Sequence, residues 1–154
     1  MRYLLDTGIL LRLVNRQADG HDAIRAAVRA LKNLGHSTLS SFQNRSEFWN
    51  VCTRPQTARG GLGLTADETR RRLAAIERIA PILPDVPEVY EKWRELVTTL
   101  GVAGVQVHDA KLVALMITHG VSHILTLNAR DFSRYLGIDA VAPGDVASMQ
   151  SGGG

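Results

Sequence analysis

The sequence has little that would crosslink the chain, hold it in a membrane or export it. Cys52 is the single cysteine, which excludes an internal disulfide and a zinc site built from cysteines. No apolar run approaches the roughly 20 residues that a membrane-spanning helix needs. The N-terminus lacks the pattern of a signal peptide, because Asp6 interrupts the apolar stretch after Arg2. We therefore expect a cytoplasmic protein.

The length and net charge of the chain limit the number of domains and the kinds of partner that it can have. With 154 residues it is long enough for one compact domain and too short for two ordinary ones. The net charge of +3 and the pI near 9.4 permit a polyanionic partner without requiring one. The glycine-rich end has no pattern, so we predict a domain over residues 1–146 and a tail over 147–154 that is disordered or an expression-derived addition.

Helical periodicity alternates along the chain with short apolar segments. The pattern predicts strands at 2–5, 37–41, 82–83, 123–127 and 140–141. It predicts helices at 9–14, 22–34, 42–53, 66–80, 88–100 and 108–119. The spacing of Thr65 and Glu68 fits a capping box before the fourth helix, and the stretch QTARGGLGL reads as a mobile loop. This alternation predicts an α/β domain with a parallel sheet.

The tripeptide Asp6-Thr7-Gly8 is the one that carries the catalytic carboxylate of aspartic proteases. Such a protease needs a strand-rich chain and a second copy of the tripeptide, supplied by the sequence or by a two-fold partner. This chain has one copy, followed at once by a predicted helix. A dimeric protease is therefore a remote alternative, and other acids of the same chain are the better partners for Asp6.

Three further acids are candidates for that partnership: Glu47, Asp109 and Asp131. Asp6 and Asp131 follow predicted strands, whereas Glu47 and Asp109 lie on predicted helices that flank the same sheet. Since ligands of parallel sheets bind beyond the carboxyl ends of the strands, we expect the four carboxylates to meet there.

Each of these acids also has an ordinary structural interpretation when it is taken alone. Glu47 fits a solvated glutamate near Arg54, and Asp109 fits a helix N-cap. Asn128 would turn the chain after its strand, and Asp131 would cap a short helix. Only the joint placement of the acids favours a functional site.

A cluster of four carboxylates needs something to offset its repulsion. Two unit charges about 5 Å apart repel by roughly 3 kcal/mol at an effective dielectric constant near 20. Either the pKa values rise or a hard cation neutralises the cluster. Oxygen ligands without cysteine or paired histidines favour Mg²⁺ or Mn²⁺ over Zn²⁺.

Four separated stretches, in this order, resemble the PIN domain: LLDTGILLRL, SEFWNVCTRP, VHDAKLVALMITHG and ILTLNARDF. Within that family they are most similar to the VapC-type toxin ribonucleases of prokaryotic toxin–antitoxin pairs. The resemblance extends from Met1 to about Pro143. It implies a three-layer α/β/α fold with a central parallel sheet, hydrolysis of RNA phosphodiesters with Mg²⁺ or Mn²⁺, and an antitoxin partner.

The resemblance also implies which residues form the site. An acidic pocket would use Asp6, Glu47 and Asp109, completed by the segment that holds Thr126, Asn128 and Asp131. We predict that Asp6 and Asp109 contact the metal, and that Glu47 and Asp131 bind a second ion or orient the attacking water. Whether Asn128 or Asp131 lies nearer the metal stays open. Many family members carry Asn where this chain has Gly8, so this chain lacks an amide that would help to orient polar groups near the first Asp.

Basic and aromatic residues give weaker signals. Arg54 and Arg59, with the neighbouring glycines, are candidates for holding the RNA backbone, although an ordinary mobile loop explains them equally well. We expect Trp49, Tyr90 and Trp93 to pack in the core or at a homodimer interface rather than to stack on bases.

Two other functions stay open at this point. One is a housekeeping RNA-processing nuclease that has the same site but no antitoxin. The other is a metal-binding interaction module that does not hydrolyse RNA.

Overall fold

The computed structural model describes residues 1–152 of the chain. Within them, the strands are β1 (Arg2–Leu5), β2 (Ser37–Ser41), β3 (Ile82–Leu83), β4 (His123–Leu125) and β5 (Asp139–Val141). The α-helices of this part are α1 (Thr7–Leu13), α2 (His21–Asn33), α3 (Phe42–Thr53), α4 (Ala66–Ile79), α5 (Pro87–Leu100), α6 (Val107–Thr118) and α7 (Pro143–Ser151). Short 3-10 helices lie at Gly104–Gln106 and Ala129–Phe132. No helix in residues 1–152 is both long and apolar enough to cross a membrane.

All five strands run parallel in one sheet, in the order β3-β2-β1-β4-β5. Successive side chains of a strand point to opposite faces, so Tyr3 and Leu5 of β1 enter one core and Leu4 enters the other. The first core is closed by α1, α2, α3, α4 and α7, and the second by α5 and α6. The predicted three-layer α/β/α fold with a central parallel sheet is confirmed.

The strand order reverses at β1, which pairs with β2 on one side and β4 on the other. In parallel α/β sheets the crevice beyond the strand ends at such a switch point is where ligands bind. The backbone N–H of Asp6 donates to the carbonyl of Leu125 at 3.0 Å, which ties together the ends of β1 and β4. The sheet order therefore puts the first aspartate at the favoured place for a site.

The capping box predicted before α4 is present. The backbone N–H of Glu68 donates to the Thr65 hydroxyl at 3.1 Å, and the Thr65 N–H donates to the Glu68 carboxylate at 2.8 Å. These two bonds satisfy N–H groups that have no partner inside the helix, so the local sequence alone sets where α4 begins.

The fourth strand is shorter than the predicted 123–127. It ends at Leu125, and Leu127 is 42% exposed. The Thr126 hydroxyl accepts the backbone N–H of Asn128 at 3.1 Å, which starts a turn that leads into the 3-10 helix. A side chain that bonds its own backbone two residues on competes with strand pairing.

The C-terminal helix crosses the predicted boundary at residue 146. Pro143 stands in its first turn, and the Asp145 carboxylate accepts the backbone N–H of Ala142 at 3.1 Å. Val146 is fully buried against the first core. Residues 147–151 thus continue α7, while residues 153–154 of the predicted tail lie outside the described residues.

The glycine-rich segment after α3 is held by backbone hydrogen bonds. The N–H groups of Leu62, Gly63 and Leu64 donate to carbonyls of the last turns of α3 and its C-cap, at 3.1, 2.8 and 2.8 Å. A Cβ on Gly61 would lie 2.2 Å from the Pro55 carbonyl oxygen, so the backbone approaches there more closely than any other residue allows. This segment is packed against the helix end, in contrast to the mobile loop that its composition predicts.

Candidate active site

Asp6 closes β1 and caps α1. One carboxylate oxygen accepts the backbone N–H of Thr7 at 2.9 Å, and the other accepts the Thr126 hydroxyl at 2.7 Å. Both oxygens are therefore oriented by the chain, at the edge where β1 and β4 end. The Asp-Thr-Gly tripeptide enters a helix beside an all-parallel sheet, an environment that gives the aspartic protease alternative no support.

Glu47 lies on α3 and faces Asp6 through Thr7. The Thr7 hydroxyl donates to one Glu47 oxygen at 2.6 Å and accepts the Asn44 side-chain amide at 3.1 Å. The Gln43 amide donates to the other Glu47 oxygen at 3.1 Å. The carboxylate is thus bound on both oxygens, and the interpretation of Glu47 as a freely solvated glutamate is wrong.

Asp109 lies in the first turn of α6 but does not cap it. The N-cap position is Gln106, and no side chain makes a capping bond at this helix start. The Gln43 amide donates to the carbonyl of His108 at 3.0 Å, which connects α3 to α6 directly beside Asp109. The capping interpretation of Asp109 is therefore wrong, and the carboxylate stays available for a ligand.

Asn128 and Asp131 follow the end of β4 and are exposed. Asn128 occupies the N-cap position of the 3-10 helix, and Asp131 lies inside that helix rather than before it. Within residues 1–152 the Asp131 carboxylate accepts no hydrogen bond. Asp131 and Asp109 line one cavity of about 240 Å³.

The pKa shifts show that the four carboxylates lie near enough to repel one another. Burial raises the pKa of Asp6, the hydrogen bonds from Thr126 and Thr7 oppose this shift, and the charges of Glu47 and Asp131 add to it. Burial, followed by the charges of Asp6, Asp131 and Glu47, raises the pKa of Asp109 from 3.8 to about 6. Mutual repulsion on this scale is what a cation would relieve.

The donor set fits a hard divalent cation that keeps part of its water shell. Within residues 1–152, no group of three or more aspartate, glutamate, histidine or cysteine side chains is arranged to hold a metal ion, so a closed cage of such ligands is absent. Mg²⁺ is commonly held by one or two carboxylates and several waters, so a closed cage is not required. The Gln43 side-chain oxygen is buried without a donor in the described chain, and a metal-bound water would supply one.

Several residues that shape the site were not singled out from the sequence as site residues: Thr7, Gln43 and Asn44. The sequence gives little indication of their role, because each contacts a partner that lies 37 to 65 residues away along the chain. Only the helical spacing that puts Gln43 on the face of Glu47 hints at its role.

The two arginines predicted to hold RNA lie away from the acids. Arg54 is seven residues beyond Glu47, about 10 Å farther along the helix axis. Its guanidinium donates to the carbonyl of Arg59 at 2.8 Å, which braces the glycine-rich segment. The structure therefore gives Arg54 a local structural contact and does not bring either arginine to the carboxylates.

The aromatic residues are distributed as the sequence predicts only in part. Trp93 packs against the second core and donates from its indole N–H to the Val107 carbonyl at 2.9 Å. Trp49 is partly buried, whereas Tyr90 and Phe42 are each 64% exposed. Phe42 is the first residue of α3 and lies outside the core.

We expect Thr126 to act through Asp6, because Thr126 is fully buried and its hydroxyl contacts the carboxylate. Thr126→Val removes the donor that lowers the pKa of Asp6 and leaves the Asn128 N–H without its acceptor. We expect the affinity for a divalent ion to fall about 10- to 100-fold. The RNA hydrolysis that the resemblance implies should begin at a higher pH. Thr126→Ser should keep both bonds and restore both properties, as ion titration and pH–rate profiles would show. Equal profiles for the valine and serine variants would contradict this role.

Comparison with solved structures finds proteins of similar fold. The structure is similar to VapBC2 from Rickettsia felis bound to a DNA fragment from their promoter, with a TM-score of 0.69 and 16% identity over 92% of this chain and 98% of that one. It is also similar to the Mycobacterium tuberculosis toxin VapC20, which cleaves the sarcin–ricin loop (TM-score 0.62, 14% identity, 89% and 98% coverage). A third similar structure is FitAcB from Neisseria gonorrhoeae (TM-score 0.56, 16% identity, 94% and 99% coverage). At these identities the likeness concerns the fold.

The family assignment comes from the sequence. No curated protein matches the chain at a significant level. The family model of the PIN domain, however, matches residues 3–137, which include all four acids of the site. The chain belongs to the PIN domain family.

Proposed function

We propose that this protein is a metal-dependent endoribonuclease that hydrolyses RNA phosphodiester bonds and serves as the toxin of a toxin–antitoxin pair. The observation that carries the proposal is the electrostatic coupling of four carboxylates at the switch point of the sheet. Membership in the PIN domain family supports nuclease chemistry. The toxin assignment is supported by the similar structures, which include toxins and toxin–antitoxin complexes.

In this proposal Asp6 and Asp109 hold Mg²⁺ or Mn²⁺. When bound, such an ion lowers the pKa of a coordinated water and screens charge that develops on the phosphate. Asp6 is suited to this role because both its oxygens are oriented by hydrogen bonds, and these bonds oppose the rise in its pKa that burial causes. Asp109 is suited to hold the ion because its carboxylate makes no capping hydrogen bond to α6 and is repelled by the other three carboxylates.

Glu47 and Asp131 are proposed to hold a second ion or to orient the attacking water. The bonds from Thr7 and Gln43 fix the direction of the Glu47 carboxylate, so a water beside it would meet a fixed acceptor. Asp131 is unrestrained by hydrogen bonds in the described chain and exposed, which suits a group that approaches only when substrate is present. Asn128 offers an amide at the same edge.

An antitoxin needs a surface to dock on, and the best candidate is a groove of about 360 Å³ between α1, α2 and α4. Apolar side chains such as Val28 and Ile79 line it together with four cationic ones: Arg16, Arg25, Arg29 and Lys32. Within residues 1–152 none of these cations forms a salt bridge. An acidic, partly apolar segment of a cognate antitoxin fits this chemistry.

We also propose a homodimer that works in the cytoplasm. Phe42 and Tyr90 expose large aromatic surfaces, and a cavity of about 390 Å³ lies beside Tyr90 and Trp93. Aromatic side chains are enriched at protein interfaces.

RNA cleavage by the purified chain tests the nuclease, and growth of the expressing host tests the toxin. We expect cleavage with Mg²⁺ or Mn²⁺, none with EDTA, and growth arrest that coexpression of a cognate antitoxin relieves. Cleavage without growth arrest would favour a housekeeping nuclease. Absence of cleavage with either ion would refute the proposal.

A further inference from the structure

A second set of side chains faces the acids across the cavity that Asp109 and Asp131 line. Arg130 and Arg134 border this cavity, together with Tyr135 and Ser133. Both arginines are exposed, and they lie one turn apart after β4. The cavity therefore joins carboxylates and guanidinium groups in one space.

These opposite charges do not neutralise one another. Within residues 1–152, neither Arg130 nor Arg134 approaches any carboxylate within salt-bridge distance, although each lines a cavity that holds two aspartates. Had the arginines served to balance the acids, ion pairs would be expected in a cavity this small. Their guanidinium groups are left for another anion.

Arg134 is already oriented for such an anion. One of its guanidinium nitrogens donates to the side-chain oxygen of Gln106 at 2.9 Å. This bond restricts the rotation of a long side chain and leaves the other N–H groups of the fork unused. A guanidinium held in this way binds phosphate oxygens with less loss of conformational freedom than a free one.

Tyr135 adds a neutral donor between the two kinds of charge. Tyr135 as a whole is only 4% exposed, its hydroxyl forms no hydrogen bond within residues 1–152, and the hydroxyl oxygen itself keeps contact with solvent. Burial raises the pKa of Tyr135, with the charge of Asp109 adding to the shift and that of Arg134 opposing it. The phenol therefore stays protonated at neutral pH and can donate into the cavity.

We propose that Arg130, Arg134 and the Tyr135 hydroxyl bind a backbone phosphate of the substrate RNA adjacent to the phosphate that is cleaved. The inference rests on the proposed nuclease function and goes beyond it, because it assigns the direction in which the strand leaves the metal site. The strand passes over the 3-10 helix after β4 rather than over the glycine-rich segment that holds Arg54 and Arg59. Binding through the backbone makes this contact independent of base sequence.

The test measures how RNA binding depends on salt. In an Asp6→Asn background that cannot turn over substrate, binding of a labelled single-stranded oligoribonucleotide is followed by anisotropy over a KCl series at fixed low Mg²⁺. Each phosphate contact contributes about 0.7 to the slope of log K against log salt for single strands. Because both arginines are proposed to bind the same phosphate, Arg130→Gln with Arg134→Gln should reduce the slope by about 0.7 and weaken binding equally across sequences.

Two further variants separate the proposed contact from a general charge effect. Arg78→Gln removes an exposed arginine from the last turn of α4 and should leave affinity and slope unchanged. Tyr135→Phe should weaken binding without changing the slope, because it removes a neutral donor. In the cleaving protein, the double arginine substitution should raise KM while kcat stays close to the original value.

The outcomes distinguish this inference from the proposed function. If the Asp6→Asn parent binds RNA but the double arginine variant keeps its slope and affinity, the inference fails and the nuclease stands. If the parent binds no RNA, both fail. If the double variant binds RNA normally but loses its affinity for an acidic antitoxin segment, these arginines serve the protein partner and the inference is overturned.

Discussion

Replacing Asp6 or Asp109 by alanine is expected to lower kcat/KM for RNA cleavage by at least about 100-fold, because each change removes a proposed metal ligand. Asp6 cannot be replaced by a neighbour, since it is the group that Thr7 and Thr126 orient at the end of β1. Asp109 cannot be replaced either, because it is the only acid on the first turn of α6. Single-turnover cleavage with Mg²⁺ or Mn²⁺ measures the effect.

The matched control is Asp19→Ala. Asp19 is an exposed aspartate in the turn before α2, and its carboxylate accepts no hydrogen bond in the described chain. Its loss removes the same charge from the protein and should leave cleavage unchanged. Circular dichroism and thermal unfolding would verify that all three variants fold. Activity equal to that of the original protein in both Asp6→Ala and Asp109→Ala would eliminate the site as proposed.

The second large effect concerns stability. Addition of Mg²⁺ or Mn²⁺ at about 100 times its Kd should raise the free energy of unfolding by about 2.7 kcal/mol. For a domain of this size that corresponds to a rise in Tm of about 5 to 10 °C. The gain should vanish in Asp6→Ala and Asp109→Ala. Differential scanning calorimetry with Mg²⁺, Mn²⁺ or EDTA measures it, and Ca²⁺ tests whether the site demands a small ion.

Most acidic side chains have a lower pKa in the folded state, so they stabilise a protein more as pH rises. The metal-free form of this protein should instead lose stability as pH rises. The pKa of Asp109 is raised from 3.8 to about 6. Between pH 3.8 and pH 6 the folded state therefore holds a proton that the unfolded state has released. The free energy of unfolding in EDTA therefore falls as pH rises through this window. The pKa of Asp6 is also raised, and it contributes in the same direction.

Asp109→Asn should remove most of that slope and stabilise the metal-free protein at pH 7 by about 1 kcal/mol, a value reduced for the partial exposure of the carboxylate. The same substitution should abolish the stabilisation by divalent ions. Unfolding by urea at several pH values, with EDTA throughout, measures both effects. A metal-free protein whose stability rises between pH 4 and pH 6 would contradict the repulsion between these acids.

The fold was largely predictable because its elements have strong local signals. The helix α4 begins where Thr65 and Glu68 predict, and β1 lies where the apolar run before Asp6 predicts. Predictions were poorer where a side chain competes with the backbone. Thr126 ends β4 early by accepting the Asn128 N–H, and the contact of Gly61 with the Pro55 carbonyl orders a segment whose composition suggests mobility.

The proximity of the four acids could be predicted, but the hydrogen bonds around them could not. Asp6 and Asp131 follow strands, and strand ends in a parallel sheet meet at one edge. No periodicity indicates that Gln43 reaches across to the carbonyl of His108, or that Arg134 turns towards Gln106. Such bonds join residues 28 to 65 positions apart, and their geometry depends on how the helices pack.

The layered α/β architecture and the start of most helices could be inferred from the sequence alone. Hydrophobic periodicity and helix capping depend on residues within a few positions of one another. Both can therefore be recognised without knowing how the rest of the molecule folds. The packed structure was needed to see that Asp109 is not the N-cap of α6, that the Thr126 hydroxyl donates to the Asp6 carboxylate, and that Arg130 and Arg134 line the cavity beside the acids without an ion pair in residues 1–152. Those properties arise from burial and from the directions of side chains on packed elements, and both are set by contacts between distant parts of the chain.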